Sequence, residues 1–349
     1  MHAKAYAAAE AGARLAPTTI ERREVGPRDV LIEIDACGVC HSDIHQAEAD
    51  WGMDIFPMVP GHEIVGRITA VGSDVTTHAV GDRVGVGCYV ASCRECPACE
   101  AGDENYCPDW STTYNGYERD GVTPTYGGYS ESIVVDEHYV LCIPEGPDTQ
   151  AVAPLLCAGI TVYPPLKDYA GSGKEIGVIG LGGLGHVAVR IANAMGSRVT
   201  VFSHSPGKEA DAKRLGADAF ASSTDTSAFK AMRMSFDMIL STVSAPIDVD
   251  AYLGLLKTRG TLAIVGLPVE PLTFEAGNLV GEARTIVGAK LAGVDATQEM
   301  LDFCAEHGIV ADVEVIDIAD INEAWQRVKD SDVRYRFVVD IAGSLRDQA

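Results

Sequence analysis

From Val30 to Ala36 the chain reads VLIEIDA, apolar and polar positions in alternation, which is the period of a half-buried strand. Ile64–Val71, Arg83–Val86 and Ser132–Val135 predict further short strands, punctuated by Gly72, Gly81-Asp82 and Gly127-Gly128. The first half therefore predicts β structure with many turns. Near residue 170 the texture changes. Ile176–Ile179 is a short apolar run, Gly180–Gly185 is glycine-rich, and His186–Met195 carries helical periodicity. Arg198–Phe202 predicts the next strand. The alternation continues through Phe236–Leu240, Leu253–Leu256 and Thr261–Val265, the βαβ texture of a parallel sheet with helices on both faces. The tail predicts helices near Thr297–Glu306 and Ile321–Lys329 and a strand at Arg336–Asp340. There is no internal repeat.

A chain of 349 residues is too long for one small core and predicts two domains. Its formal charge of −23 argues against nucleic acid or an anionic membrane surface as partner, since both require basic patches. Met1–Glu10 does not pair a basic end with a long apolar run, and no stretch of eighteen apolar residues occurs, so a cytoplasmic protein is expected. Ten cysteines without a secretory signal point to a reducing compartment rather than a disulfide framework.

Four of those cysteines follow the pattern Cys93-x2-Cys96-x2-Cys99-x7-Cys107. Thiolates at such spacing converge on one tetrahedral Zn²⁺ and close its coordination sphere. Buried thiols or two disulfides are the alternative. A segment interrupted by Pro97, Gly102 and Pro108 has too little core to fold by packing, and metal binding supplies the missing free energy. Cys40, His62 and Cys157 offer a second N/S set, although spacing alone does not bring them together. Cys37, Cys88, Cys142 and Cys304 are expected to be small buried residues.

Gly180-Leu181-Gly182-Gly183-Leu184-Gly185 fits G-x-G-x-x-G, follows an apolar strand and opens a helix. That is the setting in which a dinucleotide pyrophosphate rests on a helix N-terminus. At the end of the next strand, Ser203-His204-Ser205-Pro206-Gly207-Lys208 lacks the carboxylate that holds the ribose hydroxyls of NAD. Its hydroxyls and lysine suit a 2′-phosphate instead, so NADP(H) is the expected cofactor.

Gly61-His62-Glu63-x2-Gly66-x5-Gly72-x2-Val75 resembles the zinc signature of medium-chain alcohol dehydrogenases. CGVCHSDIH at 37–45, PLLCAGITVY at 154–163 and GLGGLGH at 180–186 are similar to the cinnamyl-alcohol dehydrogenase branch. TQEMLDFCAEHGIVAD at 297–312 and DVRYRFVVD at 332–340 resemble its bacterial NADP-dependent, broad-specificity aldehyde reductases. The resemblance covers essentially the whole chain. It implies a GroES-like β-rich catalytic domain at 1–157 and 292–349, with a Rossmann doubly wound parallel sheet inserted at 158–291 and an active cleft between them.

Carried over residue by residue, it implies Cys40, His62 and Cys157 as ligands of a catalytic zinc, with Glu63 near the metal and Asp43 orienting the His62 ring. Ser42 is implied as the proton donor to the substrate oxygen and His45 as the next relay member. His41 is placed near the pyrophosphate and Thr161 near the nicotinamide. Thr242, Val243, Val265 and Gly266 complete the expected cofactor set. Trp51, Met53 and Cys88 match substrate-pocket positions, while another pocket aromatic of the branch is replaced by Thr112. Two zinc ions, NADP(H), reversible aldehyde reduction and a homodimer joined through the Rossmann sheets are the expected whole. The competing readings are a zinc-free quinone or enoyl reductase, a zinc-ribbon nucleic-acid protein, and a catalytically silent zinc- and NADPH-binding regulator. The retained ligand set opposes the first, acidity the second, and intact Ser42, Asp43 and His45 the third.

Overall fold

A computed structural model describes residues 1–345 apart from 53–54, 147 and 269. The chain forms two compact units, Met1–Ile160 with Leu291–Ala349, and Thr161–Lys290.

The first unit is built on a sheet of the strands Val313–Ile316, Arg336–Asp340, Asp29–Gly38, Ile64–Val71, Arg83–Val86 and Leu141–Cys142 in that order, with Ser132–Asp136 also pairing Asp29–Gly38. Its central strand alternates as its sequence predicts, burying Val30, Ile32 and Ile34 completely. The register decides where chemistry can gather. Cys37 pairs with Ile64 and Gly38 with Val338, both antiparallel. The end of one strand and the beginnings of its two neighbours therefore meet at one edge, where Cys40, His62-Glu63 and Arg336 emerge.

The second unit holds six parallel strands in the order Ala219–Ser222, Arg198–Ser203, Glu175–Ile179, Phe236–Ser241, Leu256–Ile264 and Thr285–Gly288. Chain order reverses between Glu175–Ile179 and Phe236–Ser241, and in such sheets ligands bind beyond the carboxyl ends of the strands at that reversal. Ile176, Val178, Val199, Val201, Met238 and Leu240 are all fully buried, as strands covered on both faces require.

Four expectations need correction. A helix, His41–Ala47, interrupts the half read as β structure. Leu253–Leu256 ends the helix Val249–Leu255 and only begins the strand Leu256–Ile264. The first tail helix starts earlier than Thr297, at Val294. Cys142 is exposed and Cys88 half-buried, because the first lies at the end of the two-residue edge strand Leu141–Cys142 and the second between two strands. Among the described residues no helix is long and apolar enough to cross a membrane.

Candidate active site

Ligand atoms of Cys40, His62, Glu63 and Cys157 lie within 4.8 Å of one another, and all four residues are buried. Cys40 caps the helix His41–Ala47, and Cys157 immediately precedes the helix Ala158–Tyr169. The two sulfurs are 3.9 Å apart.

Asp43 fixes the histidine. It is fully buried, and its Oδ1 lies 3.1 Å from His62 Nδ1. The same carboxylate accepts the backbone N–H of Cys40 at 2.9 Å and of Gly61 at 3.2 Å, and the Tyr129 O–H at 3.2 Å. With Nδ1 engaged, Nε2 is the ring nitrogen left to face the thiols. The Tyr114 ring stacks on the imidazole at 5.8 Å.

Charge is concentrated here. Contact with the Cys157 sulfur, against the cost of burial, holds the Cys40 thiol well below the usual range, aided by the Arg336 guanidinium. Burial pushes Glu63 up to about 7 while Arg336 opposes that rise. Arg336 Nη2 donates to Glu63 Oε1, and both residues are buried. Among the described residues Glu63 Oε2 has no hydrogen-bond partner. Nothing in the sequence tied Arg336 to this site; its only signal is a lone cation opening an apolar strand.

Ser42 sits half-buried on the first turn of the same helix. The rings of His41 and His45 stack at 5.0 Å, and Trp51 stacks on His45 at 5.2 Å. His45 Nδ1 lies 2.7 Å from Asp50 Oδ2, a carboxylate that the sequence reading missed. Cys88 Sγ points to the Leu156 carbonyl at 3.8 Å, beside Cys157. Met53 lies outside the described residues.

Cys93, Cys96, Cys99 and Cys107 form the second cluster, again within 4.8 Å, and no disulfide joins them. Backbone N–H groups of Cys96 and Cys93 donate to the sulfurs of Cys93 and Cys107, each at 3.3 Å, as thiolate ligands favour.

In the second unit Gly180 takes a φ of +92°, the tight turn that its position requires. A Cβ at Gly185 would collide with the Gly180 carbonyl, whereas one at Gly182 meets no protein atom within 4 Å. Protein packing thus explains Gly185, whereas among the described residues nothing packs on Gly182. Leu181 is buried, and Gly183 and Leu184 complete the turn before the helix Gly185–Ala194. Thr242 donates to the Ile179 carbonyl at 2.8 Å, closing the reversal point, and Gly266 packs on the Val243 backbone next to Val265. Ser203 is buried and accepts the Ser205 N–H at 3.2 Å; His204 is exposed. Lys208 Nζ reaches the Leu181 carbonyl at 2.9 Å, bringing its charge to the glycine turn. Thr161 is buried in the helix Ala158–Tyr169.

Residues 26–145 match the alcohol dehydrogenase GroES-like domain and residues 183–306 the zinc-binding dehydrogenase domain. The chain is 56% identical over 345 residues to NADP-dependent alcohol dehydrogenase C 1 of Mycolicibacterium smegmatis, covering 98% of each. It is 52% identical to aldehyde reductase YahK of Escherichia coli over 97% of this chain and 98% of that one. Among solved structures, the CAD of Helicobacter pylori complexed with NADP(H) superposes with a TM-score of 0.92 at 40% identity, over 99% of both chains.

Proposed function

The chain belongs to the zinc-binding alcohol dehydrogenase family, and from that premise we propose that it reduces aldehydes to primary alcohols with NADPH, reversibly and with broad specificity that includes aromatic and cinnamyl aldehydes. The observation that carries this reading is the convergence of Cys40, His62, Glu63 and Cys157 with the imidazole held from behind by Asp43. The donor set fits zinc. It offers two sulfurs and one imidazole, and a buried carboxylate oxygen without a partner stands ready beside them. Cys93, Cys96, Cys99 and Cys107 fit a second, closed zinc site that serves folding.

When bound, the open-site zinc supplies Lewis-acid polarisation of a carbonyl and the reduced nicotinamide supplies the hydride. The chain's residues do the rest. Ser42 delivers the proton that the reduced oxygen requires, and its turn on the His41–Ala47 helix places it two residues from Cys40. His45 replenishes Ser42, and its contact with Asp50 keeps a proton route beside solvent. Asp43 holds His62 in one tautomer. Arg336, paired with Glu63, keeps a positive counter-charge next to the Cys40 thiolate, and Glu63 is the carboxylate beside the metal position.

NADPH is favoured over NADH by three features. No carboxylate ends the strand Arg198–Ser203, hydroxyls stand at Ser203 and Ser205, and Lys208 is anchored at the glycine turn. The reading places the enzyme in the cytoplasm, where a reducing environment suits ten cysteines of which none is disulfide-bonded. It also makes the enzyme a homodimer, which sedimentation of the zinc-loaded protein checks. The test of function is a panel of aliphatic, benzylic and cinnamyl aldehydes compared by kcat/KM with each cofactor. Turnover of several classes with NADPH is expected. A zinc-replete protein that binds NADPH but turns over none of them overturns the reading in favour of a silent regulator.

A further inference from the structure

The chain passes between its two units twice, at Ile160–Thr161 and at Lys290–Leu291. Directly after the second passage, four successive residues are held by the cysteine-rich part of the first unit. Asn105 Nδ2 donates to the Leu291 carbonyl at 2.8 Å. The Tyr89 hydroxyl donates to the Ala292 carbonyl at 3.0 Å. Gly293 approaches the Gly102 carbonyl so closely that any Cβ there would collide with backbone. The Val294 N–H donates to Glu104 Oε2 at 3.3 Å and opens the helix Val294–Glu306. A carboxylate at that end satisfies an otherwise orphaned donor and the helix dipole together.

Glu104 and Asn105 are buried, so water competes little for these bonds. Glu104 Oε1 is itself held by His138 Nε2 at 3.1 Å. Gly102, Glu104 and Asn105 all lie between Cys99 and Cys107. Tyr89 is linked to the same cluster by another route. Its ring meets Tyr139 edge-on at 5.9 Å, the Tyr139 hydroxyl is 2.8 Å from Ser92 Oγ, and Ser92 Oγ lies 3.3 Å from Cys99 Sγ. A metal on the four sulfurs pins both ends of the short segment that carries the contacts, and a pinned short loop has little conformational freedom left.

We propose that the closed cysteine site is a clamp on the return crossover, with Glu104 and Asn105 as positioning residues that hold Leu291–Val294 while metal is bound. Losing that metal frees the crossover before it loosens the central sheet. The proposal rests on the reading of Cys93, Cys96, Cys99 and Cys107 as a metal site, so zinc content is measured beside every exchange experiment.

Amide hydrogen exchange over residues 291–296, compared with the strand Asp29–Gly38, tests it on the full-length protein. Cys99→Ser is expected to lose one zinc per chain and to speed exchange at 291–296 about ten-fold, with the central strand unchanged. Asn105→Ala and Glu104→Ala are expected to speed the same amides with both zincs retained, and they carry the test if Cys99→Ser does not fold. Glu104→Gln, which keeps an acceptor oxygen, is expected to restore wild-type protection. Unchanged exchange at 291–296 in zinc-depleted Cys99→Ser or in Asn105→Ala overturns the clamp, as does an equal rise across the central strand. Cys99→Ser that keeps its full zinc content overturns the underlying metal assignment and the clamp with it.

Discussion

An Asp43→Asn exchange keeps the shape of a fully buried side chain while removing its charge. The new amide presents donors to a site already occupied by the Cys40 and Gly61 N–H groups and the Tyr129 hydroxyl. Open-site zinc affinity is expected to fall about 10- to 100-fold, read by competition with a chelator; wild-type affinity would show that Asp43 does not orient the ligand. Ser42→Ala makes the complementary prediction. Zinc content stays constant and turnover falls about 100-fold, because only proton delivery is lost. At the cofactor, Lys208→Ala is expected to weaken NADPH by about one to two powers of ten while leaving NADH nearly unchanged, and Ser203→Asp to reverse the preference. Paired cofactor titrations decide this, and equal binding of NADH and NADPH by the wild-type protein would refute it. The place of Asp43 beside His62 was legible because both sit inside short motifs. Arg336 was not, since it pairs with Glu63 across 273 positions of sequence, a proximity that only strand register creates.

At the scale of elements, the glycine turn separates packing from binding with the same substitution. Gly185→Ala places a methyl group against the Gly180 carbonyl, so a loss of stability of about 1–3 kcal/mol is expected in thermal unfolding. Gly182→Ala meets no protein atom, and is expected to leave the unfolding temperature unchanged and to weaken NADPH. Tight NADPH binding by Gly182→Ala would remove that turn from the cofactor site. The four inner parallel strands were readable from apolar runs between turn residues, because burial on both faces leaves no other composition, while the partly exposed edge strands Ala219–Ser222 and Thr285–Gly288 were not. The helix His41–Ala47 was not. It spans seven residues, and its capping box uses Cys40 and Asp43 in place of the usual serine or threonine with glutamate. Its sequence therefore reads as ligands rather than as a helix start.

For the whole molecule the proposed function divides labour between an open metal site and a closed one, and the two are expected to respond to different substitutions. The sequence suggested both sets of ligands, but the closed set is local and the open set depends on strand order across the sheet. Aldehyde-dependent oxidation of NADPH, measured with zinc content on wild type and Cys157→Ala, tests the division most directly. Turnover by wild type and its abolition in Cys157→Ala are expected, with the metal of Cys93, Cys96, Cys99 and Cys107 retained. Full activity in a Cys157→Ala protein that has lost its open-site metal would contradict it.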